Sequence, residues 1–373
     1  MNIGVSLAFL SWADFERAVV KPSDPPAEPD WQLYQDELAL GDMAEKFGFD
    51  SLWTVEHHFS PYGVVPDPVQ LLTYFAGRTS KINFGTMIAV LPWHDPVRLA
   101  EQVLMLDNML ADGRRVTLGV GRGASEREYR GMRVPMGESR ERFAESLDII
   151  RLAFSESSFS YSGSFAELSE LQVRPRPRDE SLASRIVFAF QSPQSMAIGA
   201  RAGLGMIFTT GKNPADYAAD AAAFNRIREE SGWPAVRPTL CQACYCAETE
   251  AEAWEAAVEY MGNWASMGEW HYGLLRADGF EKAGGYEWWA AQAHQLADAD
   301  RSHVREEFAR PQIWGTPSQC VDKVRRLQET LDPTELLLLF RPAGLPLEKA
   351  QASMELFARE VLPAIREMKT GHS

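Results

Sequence analysis

Basic residues are scarce, cysteines are few, and no apolar run is long enough to cross a bilayer. Across 373 residues, 37 Lys and Arg face 52 Asp and Glu, a formal charge of −15. A sequence-independent grip on nucleic acid needs cations to neutralise phosphates, so that partner class is disfavoured, and an anionic ligand requires a local cluster. The four cysteines, Cys241, Cys244, Cys246 and Cys320, are too few to staple a chain of this length, and buried thiols in a reducing compartment are expected. Three of them lie in a β-rich run, where a metal knuckle would need a turn, and no second pair with zinc spacing follows. No stretch approaches the roughly 18 apolar residues of a membrane span, so no membrane association is expected. The opening MNIGVSLAFLSWADFE lacks the cationic start and cleavage site of a signal peptide, which makes a cytoplasmic location the expectation. GxSxG, Walker and HExxH patterns are missing, which disfavours serine hydrolases, nucleotide triphosphatases and zincins.

Hydrophobic residues reach 45%, enough for a large core. Eight short β-rich runs, Asn2 to Phe9, Ser51 to His57, Ile82 to Met87, Arg115 to Val120, Ile186 to Phe190, Gly205 to Thr209, Arg237 to Cys246 and Glu335 to Phe340, are spread along the chain. Helical patterns separate most of them: Asp36 to Phe47, Val97 to Met109, Arg142 to Phe154, Ser195 to Ala202, Ala215 to Glu230, Glu250 to Trp264 and Ser318 to Thr330, with a closing helix near Leu347 to Met368. Runs such as TELLLLF lack alternation, as strands covered on both faces do. The pattern predicts an α/β fold, a (β/α)8 TIM barrel with insertions, over residues 1–373 as one domain. Residues 155–178 read as a hairpin and a Pro-rich connector. Residues 267–314 mix Gly, Trp, Tyr and charge without a clear strand, as a lid over the barrel mouth or a subunit contact would.

Active sites of such barrels gather at the C-terminal ends of the strands. The second run ends in SLWTVEHHF, placing Glu56, His57 and His58 at a strand-to-loop junction. Neighbouring strand residues face opposite sides, so one of the two histidines is expected at the mouth. There it suits general acid/base work or ligand binding, the alternative being a structural imidazole. The fourth run ends in VTLGVGRGASEREY, where Gly119, Gly121 and Gly123 permit close backbone approach and Arg122 adds a guanidinium; the alternative is a crowded rim turn. After the fifth run, SPQS puts Ser192 and Ser195 at a helix start, able to hold an anion or simply to cap the helix. Two anion sites on consecutive strands suggest one shared phosphate and hence a phosphorylated cofactor. Asp95, in LPWHDP, serves as a cap as readily as a catalytic group. A metal-dependent hydrolase using Glu56, His57, His58 and Asp95 stays open at this point.

In combination, SLWTVEHHFSPYGVVPDP, INFGTMIAVLPWHDPVRLAEQVLMLDNML, GRRVTLGVGRGASEREY, the SPQS turn and IWGTPSQCVDKV resemble the bacterial luciferase-like flavin-dependent monooxygenases over about Asn2 to Pro363. Within that family the pattern is most similar to the luciferase catalytic subunit. The resemblance implies a two-component monooxygenase: reduced FMN from a separate flavin reductase, oxygen, and a small, mostly apolar organic substrate oxygenated through a flavin peroxide by a homodimer. By position it implies His57 as the catalytic histidine beside the flavin and Met87 and Ile88 as the site of a non-proline cis peptide against the ring. It implies Arg122, with Gly123 beside it, and Ser192 and Ser195 at the phosphate, and Glu128 as an acidic residue affecting flavin binding. Gly121 stands where luciferase has a reactive cysteine, which implies extra room and a bulkier substrate, and Gln191 stands where it has a glutamate; light emission is left open. The rival readings are a deazaflavin-dependent oxidoreductase on the same fold and a non-catalytic flavin-binding subunit.

Overall fold

A computed structural model describes residues 1–20, 29–111, 113–209, 211–274, 276–298 and 303–368. The eight β-rich runs form strands β1 (Asn2–Leu7), β2 (Ser51–Thr54), β3 (Asn83–Thr86), β4 (Val116–Gly121), β5 (Ile186–Ala189), β6 (Gly205–Phe208), β7 (Thr239–Cys246) and β8 (Glu335–Leu339). Successive strands pair in parallel, and β8 returns to β1 in the register Asn2↔Glu335 to Val5↔Leu338. The sheet therefore closes into a (β/α)8 barrel. Side chains on one face of each strand fill the barrel and those on the other meet the helices, which is why every residue of β7 is buried.

Most strands stop short of their expected ends. Phe9, His57, Phe190, Thr209 and Phe340 all lie in the loops that follow their strands. Three short helices carried no clear signal: Trp12–Val20, Pro68–Ala76 and Glu126–Met132. The second was marked by its cap, since Asp67 accepts from Gln70 N at 2.9 Å ahead of Pro68.

The first insertion is the expected hairpin, Phe159–Ser162 against Glu167–Leu171. The second differs from the expectation because it is mostly helical and ends in a strand. A helix from Glu250 passes through a π-helical turn at Ala257–Met261 and runs on to Tyr272. Helices Asp278–Lys282, Glu287–Asp298 and Val304–Ala309 follow, then the strand Ile313–Gly315, paired with the end of β7; residues 275 and 299–302 lie outside the described residues. Phe280, Tyr286, Ala290 and Ala293 of this insertion pack on Ala124, Tyr129 and Met136, forming a small apolar cluster of their own beyond β4. All four cysteines are buried and free. No helix among the described residues is long and apolar enough to cross a membrane.

Candidate active site

Two buried carboxylates hold the EHHF turn where it leaves β2. Glu56, 2% exposed, accepts from Val90 N at 2.9 Å and lies 3.0 Å from His58 Nε2 and 2.9 Å from His94 Nε2. Burial raises its carboxyl, but the His94 charge and the bonds from His58, His94 and Val90 outweigh that and hold it below the usual range. His58 and His94 thus tie the turn to the loop after β3. Asp95 accepts from Arg98 N at 3.0 Å and caps the helix Pro96–Met109. Glu56, His57, His58 and Asp95 therefore do not converge on one point, so the ligand set the sequence offered for a metal hydrolase is not assembled. Replacing His58 with alanine should cost about 1–3 kcal/mol of unfolding free energy, because Glu56 loses a buried partner. Thermal melts beside turnover assays check this; an unchanged melt with turnover lost would make His58 the reacting histidine.

The second carboxylate is Glu128, 1% exposed, carried over the turn by the helix Glu126–Met132. Its Oε1 lies 3.1 Å from His57 Nδ1 and accepts from His58 N at 2.8 Å, and its Oε2 lies 3.2 Å from His271 Nε2. Burial would raise this carboxyl, yet the charge of His57, the close approach of His271 and the bond from His57 hold it at about 2. A carboxylate ionised at every working pH can only accept, so the proton of neutral His57 is assigned to Nδ1. Nε2 is then the nitrogen left for a ligand, as acceptor when neutral and donor when charged.

His271 ends this row. Burial pulls its imidazole down to about 4, although Glu128 opposes the shift. Its unfolded value is about 6.5, so the folded protein binds this proton less readily than the unfolded chain. Stability from this group is complete above pH 6.5 and drains away as the pH falls toward 4. Melting temperature measured over that window should fall on acidification, and His271→Leu should flatten the curve; a flat wild-type curve would contradict the assignment.

Arg122 follows β4 and is 5% exposed. Its Nη1 donates to Ser139 Oγ at 3.2 Å and its Nη2 to Ser195 Oγ at 3.1 Å. The Tyr129 hydroxyl donates to its carbonyl, and its guanidinium lies 4.9 Å from the Tyr286 ring centre. Ser192 caps the helix Pro193–Arg201 by accepting from Ser195 N at 3.1 Å. The capping reading thus describes Ser192, while Ser195, in the first turn, reaches the arginine. Among the described residues no carboxylate pairs with Arg122, and burial pulls the guanidinium down from its usual value. Arg140, in the first turn of the helix Ser139–Ser155, adds a like charge. Its Nη2 donates to Gly285 O at 3.1 Å, but its Nε is buried without a partner. The exposed Glu287 acts on both guanidiniums but, among the described residues, pairs with neither, and a buried cation without a paired anion is costly. Arg122, just past β4, and the half-buried Arg140, in the first turn of its helix, stand with Ser195 as a cluster suited to a phosphate.

The Met87–Ile88 peptide is cis, at the expected position. The glycines beside it answer to crowding. A Cβ on Gly119 would overlap the Thr86 carbonyl oxygen, and one on Gly121 would run into Ile88 Cδ1. Ile88 thus fills the room that glycine at 121 was expected to leave, so the argument for a bulkier substrate falls. Gly123 has φ 70° and packs under Trp93 and Val90. A cavity of about 1030 Å³ reaches His57, with Phe59, Trp270, Tyr272, Arg127 and Arg130 in its wall. Of the other insertion aromatics, Tyr286 and Trp289 belong to the separate cluster over β4, and Trp288 packs on Trp289 at 5.3 Å. His271, Ser139 and Arg140 went unnoticed in the sequence, and Tyr286, read there as a possible wall of a substrate pocket, sits against Arg122 and Ser139 instead. Arg140 alone had a signal, as a cation in the first turn of a helix, where anionic side chains are favoured.

The chain has relatives among known proteins. The profile of the family described as luciferase-like monooxygenase matches residues 8–333. The 4-hydroxyprotoasukamycin monooxygenase of Streptomyces nodosus subsp. asukaensis is 27% identical over 360 residues, covering 93% of this chain and 91% of that protein. An alkanal monooxygenase alpha chain of Photorhabdus luminescens is 26% identical over 350 residues, covering 92% of this chain and 94% of that one. Among solved structures, the oxygenating constituent of 3,6-diketocamphane monooxygenase from Pseudomonas putida, in complex with FMN, superposes with a TM-score of 0.72 at 19% identity, over 97% of this chain and 98% of that one. An F420-dependent secondary alcohol dehydrogenase does so with 0.70 at 17%, over 98% and 99%. The two solved structures speak for the barrel, and the profile, matched across most of the sequence, decides the lineage: the chain belongs to the luciferase-like monooxygenase family.

Proposed function

We propose that the chain is a flavin-dependent monooxygenase of a two-component system, taking reduced FMN from a separate flavin reductase and using oxygen on a small, mostly apolar organic substrate. The observation that carries this reading is the anion cluster: among the described residues the buried Arg122 side chain has only hydroxyl hydrogen-bond partners, and Arg140 beside it keeps an unpartnered Nε. A neutral cofactor would leave the exposed Glu287 as the carboxylate acting on both guanidiniums, whereas a terminal phosphate could pair with them directly. Arg122, Arg140, Ser192, Ser195 and the backbone at Gly123 would hold the phosphate, and Met87 and Ile88 would back the ring. Bound flavin supplies the oxygen-activating chemistry. Glu128 keeps a proton on His57 Nδ1, so that Nε2 accepts or returns a proton at the reacting centre.

Tyr74, Met105 and Met109 are 45%, 45% and 56% exposed on the helices Pro68–Ala76 and Pro96–Met109, which supports a homodimer. Residues 1–373 would then act as one barrel unit, in the cytoplasm. The insertion supplies the shelter from water that oxygen chemistry requires, through Tyr286 and Phe280 packed on Ala124 and Tyr129. Shortening it within residues 287–309 should leave FMN affinity within about threefold and raise hydrogen peroxide released per oxygen consumed. Unchanged coupling between oxygen and product would assign the insertion to subunit contact.

Anaerobic titration with reduced FMN and reduced F420 separates the cofactors. Tighter FMN binding followed by oxygen consumption supports the proposal. Preference for F420 without oxygen consumption would overturn it, and FMN binding without turnover would mean a non-catalytic subunit.

A further inference from the structure

We infer that His271, oriented by Ser60, is a positioning residue that acts on His57 through Glu128. Four groups stand in a row. Ser60 Oγ lies 2.7 Å from His271 Nδ1, His271 Nε2 lies 3.2 Å from Glu128 Oε2, and Glu128 Oε1 lies 3.1 Å from His57 Nδ1. The direction of the protons follows from the middle member. An ionised carboxylate cannot donate, so the nitrogen beside it on each ring carries hydrogen, and neutral His271 must then accept at Nδ1 from the Ser60 hydroxyl.

Packing alone does not account for His271. Its side chain is fully buried, yet Nε2 has no aligned hydrogen bond, only the approach to Glu128. Buried polar atoms are ordinarily satisfied, and this one faces a carboxylate already held by His58 N at 2.8 Å. The ring is stacked on Tyr62 at 4.8 Å and meets His57 and Tyr272 edge-on, each at 4.9 Å. Glu128, His57 and Arg127 are the charged or titratable groups that act on it most directly, with the phenols of Tyr62 and Tyr272 alongside. Its carbonyl accepts from Ser125 Oγ at 3.2 Å. Two rings therefore share one carboxylate. What His271 draws from Glu128 sets how firmly Glu128 holds the Nδ1 proton of His57, and so which nitrogen His57 presents to the cavity. His271 also lies in the last turn of the helix Gly262–Tyr272, from which the insertion departs, so movement of the insertion bears on His57 through two side chains.

The inference rests on the proposal that His57 works at the reacting centre, and the test separates the two. Ring-nitrogen spectra of the full chain, labelled with 15N-histidine and free of cofactor, read the His57 tautomer directly. Wild type should show Nδ1 protonated. His271→Leu and Ser60→Ala should both shift the His57 signals toward a mixture, and His271→Gln, which sets an amide near the position of Nε2, should restore them. In oxygen consumption with reduced FMN, His271→Leu should lower the rate about tenfold without changing FMN affinity, a small part of what losing an acid/base group costs. In a His57→Ala background the same change should add nothing, because the two effects share one route. Additive losses, or His57 signals that ignore both His271→Leu and Ser60→Ala, would overturn the inference. If His57→Ala alone keeps the full rate, the role of His57 fails, and the spectra still decide the linkage.

Discussion

His57→Ala should fold, bind reduced FMN and oxygenate its substrate about two to four orders of magnitude more slowly, the scale on which a positioned acid/base group contributes. The size of the effect follows from geometry. The imidazole is held at Nδ1 by a carboxylate that is 1% exposed, so its remaining nitrogen is oriented in advance and pays little to reach the reacting atom. Loss of fold is not expected, because His57 lies in the loop beyond β2, outside the barrel core. Rapid mixing of the reduced complex with oxygen and substrate, with melts alongside, is the check, and added imidazole should return part of the rate. A His57→Ala protein that turns over at the wild-type rate would remove this residue from the chemistry.

The second large effect belongs to the anion pocket. Arg122→Ala should weaken FMN about ten- to a hundredfold while changing riboflavin affinity little, because a charge-assisted bond of about 1.5–3 kcal/mol is available only to the ligand with a phosphate. Removing Arg122 also relieves its repulsion with Arg140, so the apo protein should lose little stability. Fluorescence titrations of both ligands measure the contrast. Equal weakening of FMN and riboflavin would place the phosphate elsewhere.

The barrel was legible because parallel strands covered on both faces leave uninterrupted apolar runs, and TELLLLF becomes β8 within one residue of the expected bounds. Helix Pro68–Ala76 escaped because nine mostly apolar residues are too few for periodicity to separate a helix from a strand; only its Asp–Pro start marked it. The insertion misled for a related reason. Its helices Asp278–Lys282 and Glu287–Asp298 pack on Tyr129 and Met136, while Val304–Ala309 joins the main core, so their periodicity matches no single long face. At the site, local runs such as EHHF and GRGASEREY were readable, and the structure brings His57 to Glu128 and Arg122 to Ser195. His271 was not readable: its partner Ser60 lies 211 residues away in sequence, and a lone histidine near the end of a helix carries no local sign that it faces a carboxylate. The consequence drawn from Gly121 failed because one neighbouring side chain, Ile88, takes the space. A substitution read one position at a time does not show what repacks around it.

The central claim, that this chain transfers an oxygen atom with reduced FMN, is tested most directly by isotope labelling. Protein loaded with reduced FMN is exposed to ¹⁸O₂ with a panel of aldehydes, cyclic ketones and aromatic compounds, and the products are weighed. The account predicts one ¹⁸O atom in the product of at least one apolar member, strongly diminished for His57→Ala. Substrate oxidised with no ¹⁸O gained, or hydrogen peroxide as the sole oxygen product across the panel, would contradict it.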